Sequence, residues 1–372
     1  MINRGLKKII VSGLFIIFFL ISNMIIAREY SGPGRKYLSS ELSVKNGLPQ
    51  NTVYSITKDI DGFIWIGTDR GVSRFDGKNF RNFNIYNTPE IKNNSVTALL
   101  ALNDGRVLIG TFGGGLLSYE NGKFSPMDLG GNNKTYNIWE LLIDSRKNLW
   151  VVTTGDGLIR INKRGDQSCF LNDKNDGNIT SVVQVPGGEI LAATESEIFK
   201  ISGDKASLID LTDIKRNPNI MTIRIFDKDN LYVGTDNGLF VGKIYKNRFE
   251  LISEYDTGNM IREIFRDRSN NIWLATDNGL ERLENGKIIP FISRDLFFHY
   301  PLMTVFQDPE DNIWIGSSGS GLRILRKRNF FPVDFSSNIF SGRVNSICIN
   351  SSTLIAGTEE RGVLISEGKN QY

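Results

Sequence analysis

The sequence predicts an all-β protein, a β-propeller built from four-stranded antiparallel blades of about 41 residues each. A short apolar strand, IWIGT at Ile64 to Thr68, recurs eight times and always ends in Thr or Ser. The steps between successive last residues are 43, 42 and then five times 41 residues. A glycine follows three or four residues later in every repeat except the one with Glu197. The repeated strands end at Thr68, Thr111, Thr153, Thr194, Thr235, Thr276, Ser317 and Thr358.

One repeat contains four predicted strands separated by Gly, Asp and Asn turns. Alternating apolar residues and turn signals place the first strand at Val53 to Lys58 and the second at Ile64 to Thr68. The third covers Val72 to Phe75, and the fourth begins at Phe80. An additional strand, Tyr37 to Leu42, precedes the first repeat.

The second strand of each repeat alternates large and small side chains. Its second position holds four of the five tryptophans, and its fourth position is Gly, Ala or Val. Alternate residues of a strand share one face, so a large and a small residue lie side by side there. We therefore expect the tryptophans to lie in the core between blades, where the small residue leaves a recess for the next blade.

The number of blades is open at this point. The eighth repeat has three predicted strands, Val344 to Ile349, Leu354 to Thr358 and Val363 to Ser366. If Tyr37 to Leu42 completes that repeat, the propeller has eight blades and no open edge. If it completes the seventh repeat instead, the propeller has seven blades and residues from about 330 begin a second one.

The first 27 residues differ from the rest. Arg4, Lys7 and Lys8 precede an apolar run, Ile9 to Ile21, which is typical of a secretory signal peptide or an N-terminal membrane anchor. The formal net charge is +3, and the three basic residues of this segment leave 3 − 3 = 0 for residues 28–372. We expect a periplasmic or extracytoplasmic propeller over residues 28–372 that does not bind nucleic acid.

Catalytic and metal-binding patterns are weak. His299 is the only histidine and falls in a predicted loop, which argues against a histidine-based triad. The segment Asp59 to Gly62 is similar to the start of a calcium loop, but a strand follows directly and the later ligands are absent. Acidic residues mostly occupy repeated turn positions. The sequence therefore predicts no catalytic residue, no metal and no cofactor.

The predicted ligand site is the face where the turns after the second strands meet the loops that enter the first strands. These turns vary within a regular frame, as binding sites on repeat proteins do. The mixture of carboxylates, amides, arginines and one aromatic ring suits a neutral polar ligand such as a sugar. The candidate residues are Asp69, Arg70, Phe112, Asp156, Glu195, Asn237, Asn278, Ser318, Glu360 and Arg361.

The stretch Gly47 to Phe80, GLPQNTVYSITKDIDGFIWIGTDRGVSRFDGKNF, resembles the two-component regulator propeller repeat. The resemblance extends over residues 37 to 366 and is weakest in the fourth repeat. It implies the extracytoplasmic sensor region of hybrid histidine kinases and related regulators, often sensing oligosaccharides. That family commonly has two seven-bladed propellers, a β-sandwich, a membrane span and a kinase. None of the latter follows Tyr372 here, so the chain is either a stand-alone sensor or a truncated regulator.

Together these observations predict a non-enzymatic sensor of a two-component system that binds a carbohydrate-type ligand. The expected partners are an oligosaccharide and a signalling protein or second propeller, with membrane contact only through an uncleaved N-terminal segment. An envelope scaffold for protein–protein interaction is the alternative, and a carbohydrate-active enzyme is the third possibility.

Overall fold

The structure, a computed structural model, describes residues 37–131, 134–172, 178–226, 229–293, 300–327, 344–350, 353–358 and 362–367. These residues form antiparallel strands, and their one helical element is a 3-10 turn at Val44–Asn46. The prediction of an all-β fold is confirmed. No helix in the described part of the chain is long and apolar enough to cross a membrane. The predicted signal segment, residues 1–27, lies outside the described residues.

The described residues up to Arg326 form one compact unit of seven four-stranded sheets. In chain order, the strands of the first three blades and the strand before them are β1 (Tyr37–Leu42), β2 to β5 of blade 1 (Val53–Lys58, Ile64–Thr68, Gly71–Phe75, Phe80–Phe83), β6 to β9 of blade 2 (Val96–Ala101, Val107–Thr111, Gly115–Glu120, Lys123–Met127) and β10 to β13 of blade 3 (Ile138–Ile143, Leu149–Thr153, Leu158–Ile161, Gln167–Phe170).

The remaining blades follow the same order. Their strands are β14 to β17 of blade 4 (Ile179–Gln184, Ile190–Thr194, Ile198–Ser202, Lys205–Leu208), β18 to β21 of blade 5 (Ile220–Phe226, Asn230–Thr235, Gly238–Tyr245, Arg248–Asp256), β22 to β25 of blade 6 (Ile261–Arg266, Ile272–Thr276, Gly279–Glu284, Lys287–Ser293) and β26 to β28 of blade 7 (Leu302–Gln307, Ile313–Ser317, Leu322–Lys327). The first strands of successive blades contact one another around the ring, and the first strand of blade 7 contacts that of blade 1.

Strand β1 closes the ring by pairing with β28, so that blade 7 has the order β1-β28-β27-β26. The side chain of Arg323 on β28 donates hydrogen bonds to Ser39 Oγ and Glu41 Oε2, both at 3.1 Å. The unit therefore has seven blades, and the eight-bladed alternative is not confirmed. The strands Val344–Asn350, Thr353–Thr358 and Gly362–Glu367 belong to a second unit and form a three-stranded sheet of their own.

The recess beside each tryptophan position receives the next blade, as the alternation of large and small residues predicts. A Cβ atom added to Gly67 of blade 1 would lie 2.7 Å from the carbonyl oxygen of Val96 in blade 2. The same atom on Gly110 would lie 2.5 Å from Ile138 Cγ2 in blade 3. Glycine is needed at these positions because a side chain would push two blades apart.

The tryptophans are held in place by the turn that precedes them. Nε1 of Trp65 donates a 2.7 Å hydrogen bond to Asp59 Oδ2. The pairs Asp144–Trp150, Asp267–Trp273 and Asp308–Trp314 repeat this bond at 2.9, 2.9 and 2.8 Å. The segment Asp59 to Gly62 is therefore a hairpin turn whose aspartate satisfies a buried indole.

The threonine that ends each second strand stabilises the following hairpin. The hydroxyl of Thr68 donates a 2.8 Å hydrogen bond to the carbonyl oxygen of Gly71. Gly71 has a φ of 121°, and a Cβ there would lie 2.3 Å from the carbonyl oxygen of Phe83. The turn requires glycine both for its backbone angle and for this close approach.

Candidate functional site: the mouth of the central channel

A cavity of about 530 Å³ lies on the axis of the ring. The first strands of all seven blades contribute to its wall, and so do residues that follow the second strands of blades 2, 3 and 4. The first strand of each blade is its inner strand. The first residue of each inner strand pairs with the Thr or Ser that ends the second strand, as Val53 does with Thr68. The cavity therefore opens on the face where we predicted a ligand site from the sequence. This opening is the mouth of the central channel.

A β-bulge near the start of every inner strand shapes the cavity mouth. In blade 1, for example, the pairing shifts between Val53 and Ser55, so that Tyr54 has no partner in the ladder. A bulge of this kind redirects one side chain out of the regular pattern. The seven bulged residues, all of which line the cavity, are Tyr54, Thr97, Trp139, Thr180, Met221, Arg262 and Met303.

Two of the cavity-lining aromatic side chains are exposed to solvent. Trp139 retains 41% of its surface and Phe112, in the turn after the second strand of blade 2, retains 44%. Tyr54 also lines the mouth and is partly buried. Burial raises the pKa of Tyr54, and the charge of Asp69 adds to that rise. The mouth thus offers apolar ring surfaces beside hydroxyl groups, the usual composition of a small-molecule site.

An arginine bound by two carboxylates lies in the wall of the cavity. Arg224 of blade 5 forms ion pairs with Glu140 of blade 3 at 3.0 Å and with Glu263 of blade 6 at 2.9 Å. Its other terminal nitrogen donates a 2.8 Å hydrogen bond to Ser181 Oγ in blade 4. Glu140 also accepts a hydrogen bond from the backbone N–H of Val182 at 3.1 Å. This cluster connects four consecutive blades across the channel.

Ionisation of the cluster follows from burial and charge pairing. Burial alone would lower the pKa of Arg224, but Glu140 and Glu263 outweigh it and hold the pKa above its ordinary value. Burial raises the pKa of Glu263, while the charge of Arg224 opposes that rise and the charge of Glu140 adds to it. The arginine therefore stays charged at any physiological pH, and its two terminal nitrogens already have partners within the protein.

The structure brings two of the ten predicted site residues to the cavity, Phe112 and Glu195. Of the others, Asp156 forms an ion pair with Lys134, and Asn237 donates a 3.3 Å hydrogen bond to Asp256. Asp69, Arg70, Asn278 and Ser318 occupy the corresponding turns of blades 1, 6 and 7 without lining the cavity. Glu360 and Arg361 lie outside the described residues, as does His299.

The bulged residues, all of which line the cavity, were not predicted from the sequence. Trp139 was the one tryptophan outside the repeated core position, and that exception was the available signal. The second residue of the first strand also varies widely in size from blade to blade, whereas the residue before it is Val, Ile or Leu in all seven blades. Variation beside a regular position of a repeat marks a surface that packing does not constrain. Within the described residues, no group of three His, Cys, Asp or Glu side chains is placed to bind a metal.

Residues 47–70 match the family model described as "Two component regulator propeller". This chain carries a two-component regulator propeller repeat. A histidine kinase, P4, of Formosa agariphila is 27% identical to this propeller over 265 residues. The match covers 63% of the chain and 19% of the kinase, so the chain spans about a fifth of the length of its curated relative.

Solved structures share the propeller fold. The extracellular domain of the hybrid two component system BT3049 from B. thetaiotaomicron superposes with a TM-score of 0.68 at 21% identity, covering 89% of this chain and 48% of that one. The corresponding domain of BT4673 gives 0.64 at 17% identity, covering 90% and 48%. A streptogramin B lyase gives 0.63 at 15% identity, covering 78% and 98%. The same fold thus occurs in extracellular domains of regulatory systems and in an enzyme, and fold alone does not decide function.

Proposed function

We propose that this propeller is the extracytoplasmic, non-enzymatic sensor of a two-component signalling system and that it binds a carbohydrate at the mouth of its central channel. The regulator propeller repeat and the similarity to a histidine kinase support the signalling role. The apolar N-terminal segment and the extracellular domains of similar fold support the location. Capture of the ligand would be relayed to a partner signalling protein or a second propeller.

The observation that carries the proposal is the exposure of Trp139 at the rim of a cavity lined by hydroxyl groups. Every other tryptophan of the chain is buried and hydrogen-bonded to an aspartate. A tryptophan exposed by a bulge leaves apolar surface in water, a cost that binding of a flat, partly apolar ligand would offset. The apolar face of a sugar ring can cover the indole while Ser and Thr side chains bind its hydroxyl groups.

The test is a binding screen of the full chain against neutral and acidic oligosaccharides, followed by thermal unfolding and calorimetry. A ligand at 100 times its Kd should raise the free energy of unfolding by about 2.7 kcal/mol. We expect Trp139→Ala to weaken binding roughly 30-fold or more, as loss of a buried aromatic anchor does. Tyr86→Ala is the matched control, because Tyr86 is 87% exposed and does not line the cavity.

Two results would contradict the proposal. If no oligosaccharide stabilises a protein that unfolds cooperatively, an interaction scaffold becomes the better explanation of the fold. If an oligosaccharide binds but Trp139→Ala and Tyr86→Ala behave alike, the ligand binds elsewhere on the propeller.

A further inference from the structure

We infer that Arg262 selects ligands that carry an anionic oxygen group, a carboxylate or a sulfate ester, at the mouth of the channel. This inference rests on the proposed function, since it names a chemical class of ligand for the same site. Its basis is the position of one arginine and the state of its hydrogen-bonding groups.

Arg262 is the bulged residue of blade 6, the position that Trp139 occupies in blade 3. Three steps around a ring of seven blades separate these two residues, which places them on opposite sides of the mouth. Both side chains line the same cavity. A ligand that covers the indole on one side can therefore present a charged group to the guanidinium on the other.

The guanidinium of Arg262 is not fully satisfied within the protein. Its Nε is buried and has no hydrogen-bond partner among the described residues. A buried donor without a partner costs about 1–3 kcal/mol, and native structures rarely leave one without a reason. An anionic oxygen that reaches the guanidinium from the channel would form a charge-assisted hydrogen bond with it.

The carboxylates around the cavity do not neutralise Arg262. Both inward carboxylates, Glu140 and Glu263, are bound by Arg224. Glu195, in the turn after the second strand of blade 4, is exposed, where water and salt screen its charge. Two arginines, Arg224 and Arg262, lie in the described cavity wall, and Arg262 is therefore the one whose charge is available to a ligand.

The planar fork of a guanidinium matches the paired oxygens of a carboxylate or a sulfate ester. A neutral saccharide offers only hydroxyl and ring oxygens, which accept a hydrogen bond but carry no charge to pair with the guanidinium. The site should consequently prefer an acidic saccharide over a neutral one of equal size.

The experiment measures calorimetric affinities of the full chain for pairs of oligosaccharides with the same backbone, one with its anionic groups free and one with those groups esterified or removed. One arm compares oligogalacturonate and oligomannuronate with their methyl esters. The other compares sulfated galacto-oligosaccharides with their desulfated forms. We expect the acidic member of at least one pair to bind roughly 10- to 100-fold more tightly, by a margin that shrinks with added salt. The arm that shows the preference identifies the anionic group.

Two variants of Arg262 test whether this residue causes the preference for the acidic saccharide. We expect Arg262→Met to bring the acidic member to the affinity of its neutral counterpart and Arg262→Lys to retain part of the difference. Arg146→Met is the control. It removes the same charge from an exposed turn on the face of the ring opposite the mouth. Circular dichroism and thermal unfolding verify that each variant folds.

Three outcomes would overturn the inference. The first is tight binding of a neutral member with no preference for its acidic partner, which would leave the proposed carbohydrate sensor intact. The second is an acidic preference that survives in Arg262→Met. The third is failure of every acidic member to bind.

Discussion

The indole Nε1 of Trp150 donates a 2.9 Å hydrogen bond to Oδ2 of Asp144, six residues earlier on the other side of a tight turn. The same carboxylate accepts a 2.8 Å bond from the backbone N–H of Asn148 through Oδ1. One side chain thus closes the hairpin and fixes the orientation of the largest core residue of the blade. In the blades where Asp and Trp recur, local turn chemistry and the packing between blades depend on the same carboxylate.

Removing this carboxylate should destabilise the propeller strongly. Asp144→Ala leaves the Trp150 indole and a turn N–H buried without an acceptor, and we expect it to lower the free energy of unfolding by about 3 kcal/mol. Urea unfolding at neutral pH measures the loss. Asp166→Ala, in an exposed hairpin of the same blade, should cost less than about 0.5 kcal/mol. Equal losses in the two variants would show that Asp144 has no special role.

The stabilisation from Asp144 should depend on pH. Burial alone would raise its pKa, but hydrogen bonds from Trp150 and Asn148 outweigh burial and hold the pKa below its ordinary value of 3.8. A carboxyl group whose pKa is lower in the folded state stabilises the fold above its unfolded pKa and loses that effect as the pH falls through the folded value. The difference in urea midpoint between the wild type and Asp144→Asn should therefore be constant from pH 8 to about 5 and narrow below about 4. A gap that widens in acid would contradict this assignment.

The Arg224 cluster should be a major determinant of ring integrity. Arg224→Met leaves Glu140 and Glu263 close together in a partly buried site, and we expect a loss of about 3–5 kcal/mol at pH 7.5. Arg268→Met breaks an exposed inter-blade pair with Asp311 and should cost less than about 1 kcal/mol. Urea unfolding of both variants gives the comparison.

The Arg224→Met defect should also shrink in mild acid. The pKa of Glu263 is already raised in the folded protein by burial, and loss of Arg224 removes the charge that opposes this rise. A carboxyl group with a raised folded pKa favours the fold below its unfolded value of 4.5 and disfavours it as the pH rises through the folded value. The variant should therefore be closer to the wild type at pH 5 than at pH 8, and Glu263→Gln should partly rescue it at pH 8. A defect that is independent of pH and of Glu263 would show that packing, rather than charge, accounts for it.

The recess between blades provides a test of the packing itself. Gly110→Ala places a Cβ 2.5 Å from Ile138 Cγ2 of the next blade, and the resulting shift should cost about 1–3 kcal/mol. Gly187→Ala is the matched control because its Cβ meets nothing within 4 Å and its φ is not positive. Thermal unfolding should separate the two variants by several degrees, and coincident curves would mean that the blades can separate without cost.

The repeated frame could be predicted from the sequence because each of its residues has a local reason to be there. The Thr68 hydroxyl satisfies the next turn, Asp59 satisfies Trp65, and Gly67 admits Val96, so the same letters recur at the same spacing. The blade count could not be decided in this way, because β1 has no sequence feature that distinguishes β28 from the eighth repeat as its partner.

The face of the propeller that carries the candidate site could be predicted from the sequence, but most of the residues that line it could not. Phe112 was predicted because it stands out within a turn, and Glu195 because it follows the strand-ending threonine; both line the cavity. Trp139 and Arg262 were missed because a β-bulge, which depends on hydrogen-bond geometry rather than on composition, turns them into the channel. Arg224 joins Glu140 and Glu263 from two other blades, a contact that exists only once blades 3, 5 and 6 have packed around the channel.

The pairing of β1 with β28 has a consequence for folding during synthesis on the ribosome. The contact between Arg323 and Glu41 joins residues 282 positions apart, so β1, the first strand of the ring, cannot pair until β28, the last strand of the ring, has been synthesised. At usual elongation rates this delay lasts roughly 15–60 s. During that interval the nascent chain carries an open edge at each end, and both can pair with other chains. A cell that makes this propeller in quantity must keep each emerging chain apart from its copies until synthesis has passed residue 327.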